Sequence, residues 1–399
     1  MFFVVLTAFI VYSLATFGAV HPKDWWLIGI SLTVVLSVLL IKSAMRESNW
    51  RGSVLVLLIF AVLSLGLLQS YFFISLTAGL LAWLGANEGK QNVLRFFKAL
   101  VVIGVAEAVL GLVQYLISPG WIFGYVNTAY RVSGTLINRN HFAGLLEMLI
   151  PVTFGLAYIA ATRLDDLARS YTYLLAGAVM GLSLLLSTSR MGILSFFTTV
   201  LFLGILLRVS QSRRRLAVGF TLTVVGLVLS AALWIGIDVV IQRYSELLGQ
   251  DAILREGRFL VYRDTIRMIR ANPLGVGIGN FQDRFREYQT YRPNLLFDHA
   301  HNDYLETAAE WGLPVAILFW TVIMFAFVRA IRLFVSLRSH EQRGILLACI
   351  GAVFSILVHS LTDFNLQIPS NAMLFFAFVG ISLAVPIRDV ETDRFQKNI

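Results

Sequence analysis

The amino-acid sequence predicts an all-α integral membrane protein with about twelve transmembrane helices and both termini cytoplasmic. Three observations carry that expectation. Hydrophobic residues make up 58% of the 399 positions and charged residues only 14%, with a mean hydropathy of +0.77, against about 45–50% and about 25% in soluble domains. The apolar residues come in runs of span length, and the cations gather on alternate breaks between the runs. The net charge of +9 would also suit a nucleic-acid binder, but in a polytopic membrane protein Lys and Arg first report orientation, so no nucleic-acid partner is expected. Cys349 is the one cysteine, which rules out an internal disulfide or a thiolate metal site.

Taken in order, the runs place spans near 2–20, 25–41, 53–68, 71–86, 93–117, 141–161, 170–187, 191–207, 216–237, 303–329, 344–361 and 372–386. The first is read as a retained helix, since it has no basic leader and no clear small-residue cleavage site. The stretch 53–86 is broken only at Gln69, Ser70 and Tyr71. Keeping the break puts Lys42, Arg46 and Arg51 on the same face as the other short basic loops, and merging the two spans would not. The chain reads as a single polytopic domain over 1–399. Its other face carries polar segments near 118–140, 238–302 and 362–371. The longest holds nine arginines and no lysine, and arginine is the better fork for phosphate oxygens.

Within that long loop Phe259, Tyr262, Ile266 and Ile269 recur at helical spacing, with Arg263, Arg267 and Arg270 on the opposite stripe. An amphipathic helix is expected, snorkelling toward lipid phosphate or cradling an anionic substrate. Pro273 to Phe281 is rich in glycine at GxGxG spacing and reads as a tight turn closing the helix, not as a dinucleotide fingerprint. His299 and His301 follow. With no third ligand of their type nearby, general-base work is preferred to zinc, so no metal or cofactor is expected. Asp303, Glu306 and Glu310 are expected on one face of the tenth span, able to pair with the loop arginines. Arg190 sits in a very short turn after Ser187-Thr188-Ser189, and Arg139 and Asn140 precede the sixth span on the same face. Glu107, Glu147 and His359 are read as hydrogen-bond partners between helices.

On these residues the chain resembles the O-antigen ligase family of bacterial surface polysaccharide assembly. The matching features are Gly134-Thr135 with Asn138 and Asn140 before a helix containing Pro151, then Thr188 to Gly192, Gly257-Arg258, Pro273 to Gly277, and His301-Asn302 ahead of Gly312. Val315 and Leu318 stand where the family often has further glycines. The signature region spans about 134–363. The resemblance implies a metal-independent glycosyltransferase in the bacterial inner membrane, with its active site facing the periplasm. It moves a glycan from an undecaprenyl diphosphate carrier to an acceptor hydroxyl, with the lipid A core as the ligase acceptor. Membrane lipids surround it. Arg190 and Arg258 would hold the diphosphate and His301 would orient or deprotonate the acceptor hydroxyl, with Arg263, Arg267, Arg139, Asn140, Asn302 and His299 as further binding residues. A polymerase using a second lipid-linked repeat as acceptor is the alternative. A lipid-linked oligosaccharide flippase is the rival of another class, opposed by the lack of internal repeats and by polar chemistry gathered at one face.

Overall fold

A long apolar helix can be buried on every side only if its neighbours come close, and small residues permit that approach. The computed structural model describes residues 2–19, 21, 23, 24, 27–32, 34, 71–117, 121, 122, 125, 126, 132–210, 226, 257–290 and 296–386. Its helices are α1 (Phe2–Ala15), α2 (Tyr71–Asn87), α3 (Lys90–Leu116), α4 (Arg139–Thr162), α5 (Leu167–Leu186), α6 (Arg190–Val209), α7 (257–271), α8 (Phe281–Phe285), α9 (Asp303–Trp311), α10 (Leu313–Ser336), α11 (His340–His359) and α12 (Pro369–Ala384). Among the described residues α3, α4, α5, α6, α10 and α11 are long and apolar enough to cross a membrane, and the protein is a multi-pass helical membrane protein. The only strands among the described residues are a two-residue antiparallel pair, Trp121–Ile122 with Tyr125–Val126. The expected spans near 53–68 and 216–237, and most of that near 25–41, lie outside the described residues.

Helix α4 is the centre of the bundle. Its apolar window is buried throughout, and α11 is buried nearly as fully. The reason is steric. Gly155 of α4 lies against the Gly344 carbonyl of α11, Gly177 of α5 against Thr153, and Gly104 of α3 against Leu149 and Met180. Gly351 of α11 makes room for the ring of Pro151, which interrupts α4 and leaves the Glu147 carbonyl without its helical N–H partner. By contrast α10 is 28% buried over its window. Val315 and Leu318 both point outward from it, so glycines at those positions have no close packing to serve here. Arg329 of α10 donates to the carbonyls of Ser382 and Val385 at 3.0 and 2.8 Å, closing the C-terminal end of α12.

Two expectations are corrected. The span expected over 303–329 is two helices, because Gly312 adopts φ +83 and Pro314 opens α10. Asp303, Glu306 and Glu310 therefore belong to a separate short helix and not to a face of a long span. The glycine-rich turn locks that break. Val276 N–H donates to Ala309 O (3.0 Å), Gly277 N–H to Glu310 O (3.0 Å), and Leu313 N–H to Pro273 O (2.9 Å). Any side chain at Gly275, φ +89, would strike the backbone of Glu310 and Gly312. Second, the buried stripe of α7 runs through Val261, Asp264, Thr265, Met268 and Ile269, while Phe259 is 73% exposed. Helix α7 packs on a small core of its own with Phe281, Phe285 and Ala309.

Candidate functional site

The site is built at one end of the bundle, where α4, α6, α9 and the turn after α11 begin or finish. Residues 133–138 are fixed first. Gln114 accepts from the N–H groups of Ser133 and Gly134 (both 3.0 Å) and donates to Gly134 O (2.7 Å). Glu107 accepts from the N–H and hydroxyl of Thr135 at 2.9 and 2.8 Å. Glu107, expected to bond between helices, thus holds the loop before α4 instead. Asn138 then caps α4 by accepting from Asn140 N–H at 2.8 Å, so the first turn presents Arg139, Asn140 and His141. Ser189 caps α6 in the same way. A Cβ on Gly192 would collide with Ala143, so the start of α6 lies directly against α4 and brings Arg190 to its first turns. Arg139 Nη1 donates to Thr188 Oγ1 at 2.9 Å and ties the two helix starts together.

Asp363 is the hub. Its carboxylate accepts from Asn140 Nδ2 at 2.6 Å and from Phe364 N–H at 2.9 Å. It lies 3.8 Å from His141 Nε2 and 3.9 Å from His359 Nε2. Burial alone would raise the Asp363 carboxyl, but His141, His359, His301 and Arg258 outweigh it and hold the group below its usual range. The Phe364 ring organises three imidazoles. It stacks on His299 with centroids 4.1 Å apart, and meets His141 and His301 edge-on at 4.8 and 5.0 Å.

His301 has a strained backbone, φ +51, and its carbonyl is held by the Tyr262 hydroxyl at 2.9 Å. Burial lowers its imidazole below the ordinary value, with Arg258 acting in the same sense and Asp363 opposing, so the ring is neutral near pH 7. Its Nδ1 is shielded from solvent and makes no hydrogen bond among the described residues. His299 is the opposite case. Burial would lower it, but the Glu306 carboxylate at 2.6 Å and the nearby Asp298 raise it to about 9. A ring already protonated at pH 7 cannot act as a base, so the geometry favours His301 for that work.

The structure thus brings His301, His299, Arg258 and Asn140 around Asp363 and Phe364, with Arg190 and Arg139 on the α4–α6 flank. Asn302 is spent on architecture, capping α9 through Leu305 N–H (2.9 Å) and donating to Leu361 O (2.8 Å). Arg263 and Arg267 face elsewhere. Both pair with Asp264, at 3.1 and 3.7 Å, and Arg263 also reaches the Thr290 hydroxyl. The carboxylates of α9 do not pair with these arginines. Glu306 binds His299 and Ala300 N–H, Glu310 accepts from Phe281 N–H, and Asp303 accepts from Ser360 Oγ at 2.6 Å. Among the described residues, no three of His, Cys, Asp and Glu converge as metal ligands.

A family model described as O-antigen ligase matches residues 175–320, a stretch that includes Arg190, Arg258, His299 and His301. Over that stretch the chain carries an O-antigen ligase domain. No curated protein matches the sequence. The match supports a membrane enzyme of the ligase and polymerase type, a family whose general substrates are a lipid-linked glycan and a glycan acceptor. The O-antigen ligase match ends before His359 and Asp363, so their place in the site comes from the fold. The sequence marks the polar segment near 362–371 but gives no site role to Asp363, His141, Phe364 or Tyr262. The available signal was Asp363 four residues after His359, one helical turn on, at the same end of the bundle as Asn140 and His141.

Proposed function

We propose that the protein transfers a glycan from an undecaprenyl diphosphate carrier to an acceptor hydroxyl at the periplasmic face of the bacterial inner membrane, with His301 as general base. The observation that carries the reading is a neutral, half-buried imidazole whose shielded Nδ1 has no hydrogen-bond partner among the described residues and which feels both Arg258 and Asp363. The acceptor oxygen attacks the glycosyl carbon and passes its proton to His301. The bond from that carbon to the diphosphate oxygen breaks, and the electron pair leaves with the diphosphate. Arg190 and Arg258 stabilise the departing charge, an electrostatic duty that fixed cations perform in a site shielded from water, with no metal required. Asp363 steadies the imidazolium that forms.

The reading includes twelve spans with both termini cytoplasmic, which sets this site outward. It is supported by the distribution of Lys and Arg over the short loops. The lipid A core is the favoured acceptor, and a second lipid-linked repeat, the polymerase acceptor, would use the same donor site. Purified protein in proteoliposomes, given a polyprenyl-diphosphate glycan and each acceptor in turn, tests the proposal. Glycan transfer to the core acceptor with free diphosphate carrier released, unchanged by a chelator, is expected. Carrier movement across the bilayer without a new glycosidic bond would overturn it.

A further inference from the structure

Ionisable side chains buried within spanning helices are expensive, and two helices that meet through glycines have no packing need for them. Glu147 of α4 and His359 of α11 are such a pair. Their side chains are wholly buried, and His359 Nδ1 lies 2.9 Å from Glu147 Oε1. The other ring nitrogen faces the Asp363 carboxylate at 3.9 Å. An imidazole between these two groups keeps its Nε2 proton toward Asp363, because a bare lone pair there would face an anionic oxygen, and a second proton is held between Nδ1 and Glu147. Every charged or titratable neighbour bears on this arrangement. Helix α4 contributes Glu147 and His141, α9 contributes Asp303, and the turn after α11 contributes Asp363, on which His301 and Arg258 also act; from α6 the uncharged Ser195 reaches Glu147. Glu147 Oε2 and His359 Nε2 make no other hydrogen bond among the described residues, so the pair is not satisfied as a purely structural bridge would be.

We infer that Glu147 and His359 are positioning residues of the transfer reaction, a buried proton-holding pair that keeps Asp363 anionic and aimed at His301. The inference rests on the reading of His301 as the base. When the acceptor proton moves to His301, the Asp363 charge stabilises the new imidazolium, and no bond forms or breaks at His359 or Glu147. The site thereby extends about 12 Å along α4 from its first residue, at 1.5 Å per residue over the eight residues from Arg139 to Glu147.

The test uses the full chain in proteoliposomes, with Glu147→Gln, the apolar double variant Glu147→Leu/His359→Leu, and His301→Ala as reference. Transfer is measured across pH beside thermal stability. The inference expects Glu147→Gln to lose roughly tenfold or more in rate. It also expects the acidic limb of the pH–rate profile to move up by about one pH unit, since Asp363 takes up a proton more readily once the positive ring behind it is gone. The double variant, which leaves no lone buried charge, should fold and show the same loss. Rates that fall only in proportion to lost folded protein, with an unmoved profile, would reduce the pair to a structural bridge and overturn the inference. An inactive His301→Ala beside a normal Glu147→Gln would overturn it alone. An active His301→Ala would instead remove the reading beneath it.

Discussion

Arg258 and Arg263 stand little more than one turn apart on α7 and meet opposite fates. Arg258 acts on His301 and Asp363, where the charge around it is arranged for a reaction. Arg263, with Arg267, is answered by Asp264, whose buried carboxylate also accepts from the N–H and hydroxyl of Thr290 at 2.7 and 2.8 Å. Neighbouring turns of one helix thus separate a proposed catalytic use of arginine from an architectural one. A guanidinium already paired beside a carboxylate, and about half exposed, has little to offer a diphosphate. One placed against a neutral imidazole keeps its field for a bound anion.

The largest effect that would sharpen this contrast is expected from His301→Ala, a loss of about 10²–10⁴-fold in transfer with the protein still folded, as removing a general base costs. Next comes Arg258→Ala, with a loss of about 10²–10³-fold, and Arg258→Lys should recover little of it because lysine cannot form the bidentate fork. Arg263→Ala and Arg267→Ala should reduce the rate by less than about threefold, and each removes one partner from the buried Asp264 carboxylate, which keeps Thr290 and the other arginine. Equal losses at 258 and 263 would erase the distinction between the two arginines.

Acidity offers a finer probe. Because His301 lies below the ordinary imidazole value of 6.5, its proton-accepting form persists to lower pH, and transfer should hold through pH 6.5 and fall only below it. His299 runs the other way. Its folded-state value is raised to about 9, so its pairing with Glu306 contributes stability that is complete below pH 6.5 and fades as pH rises through about 9. Thermal scans of wild type and His299→Gln across pH 6–9.5 should therefore converge at the alkaline end. A gap that stays constant with pH would contradict the assignment.

The helical membrane class was legible because burial in lipid demands runs of span length, and α3, α4, α5, α6 and α11 fall where those runs lie. The break at Gly312 was hidden because Leu313 onward is apolar enough to blur into the helix before it, and only the Pro273–Gly279 turn reveals why a positive φ is needed there. Of the site, His301, Arg190 and Arg258 could be read from motifs. Asp363 could not be ranked, since its partners Asn140, His141 and His359 come from two helices far apart in sequence and meet only through the α4–α11 packing. The stripe of α7 misled for a similar reason. Its buried face includes Asp264, a polar residue whose hydrogen-bond partner Thr290 lies beyond the helix, and hydrophobic spacing cannot register that.

The account stands most directly on one measurement, the single-turnover rate of glycan transfer from a polyprenyl-diphosphate donor in proteoliposomes for wild type, Arg258→Ala and Arg263→Ala at pH 7. The account predicts a fall of about 10²–10³-fold for the first variant and under about threefold for the second, with both proteins equally folded. Rates for the two variants that fall together, or an Arg258→Ala protein that transfers at the wild-type rate, would contradict it.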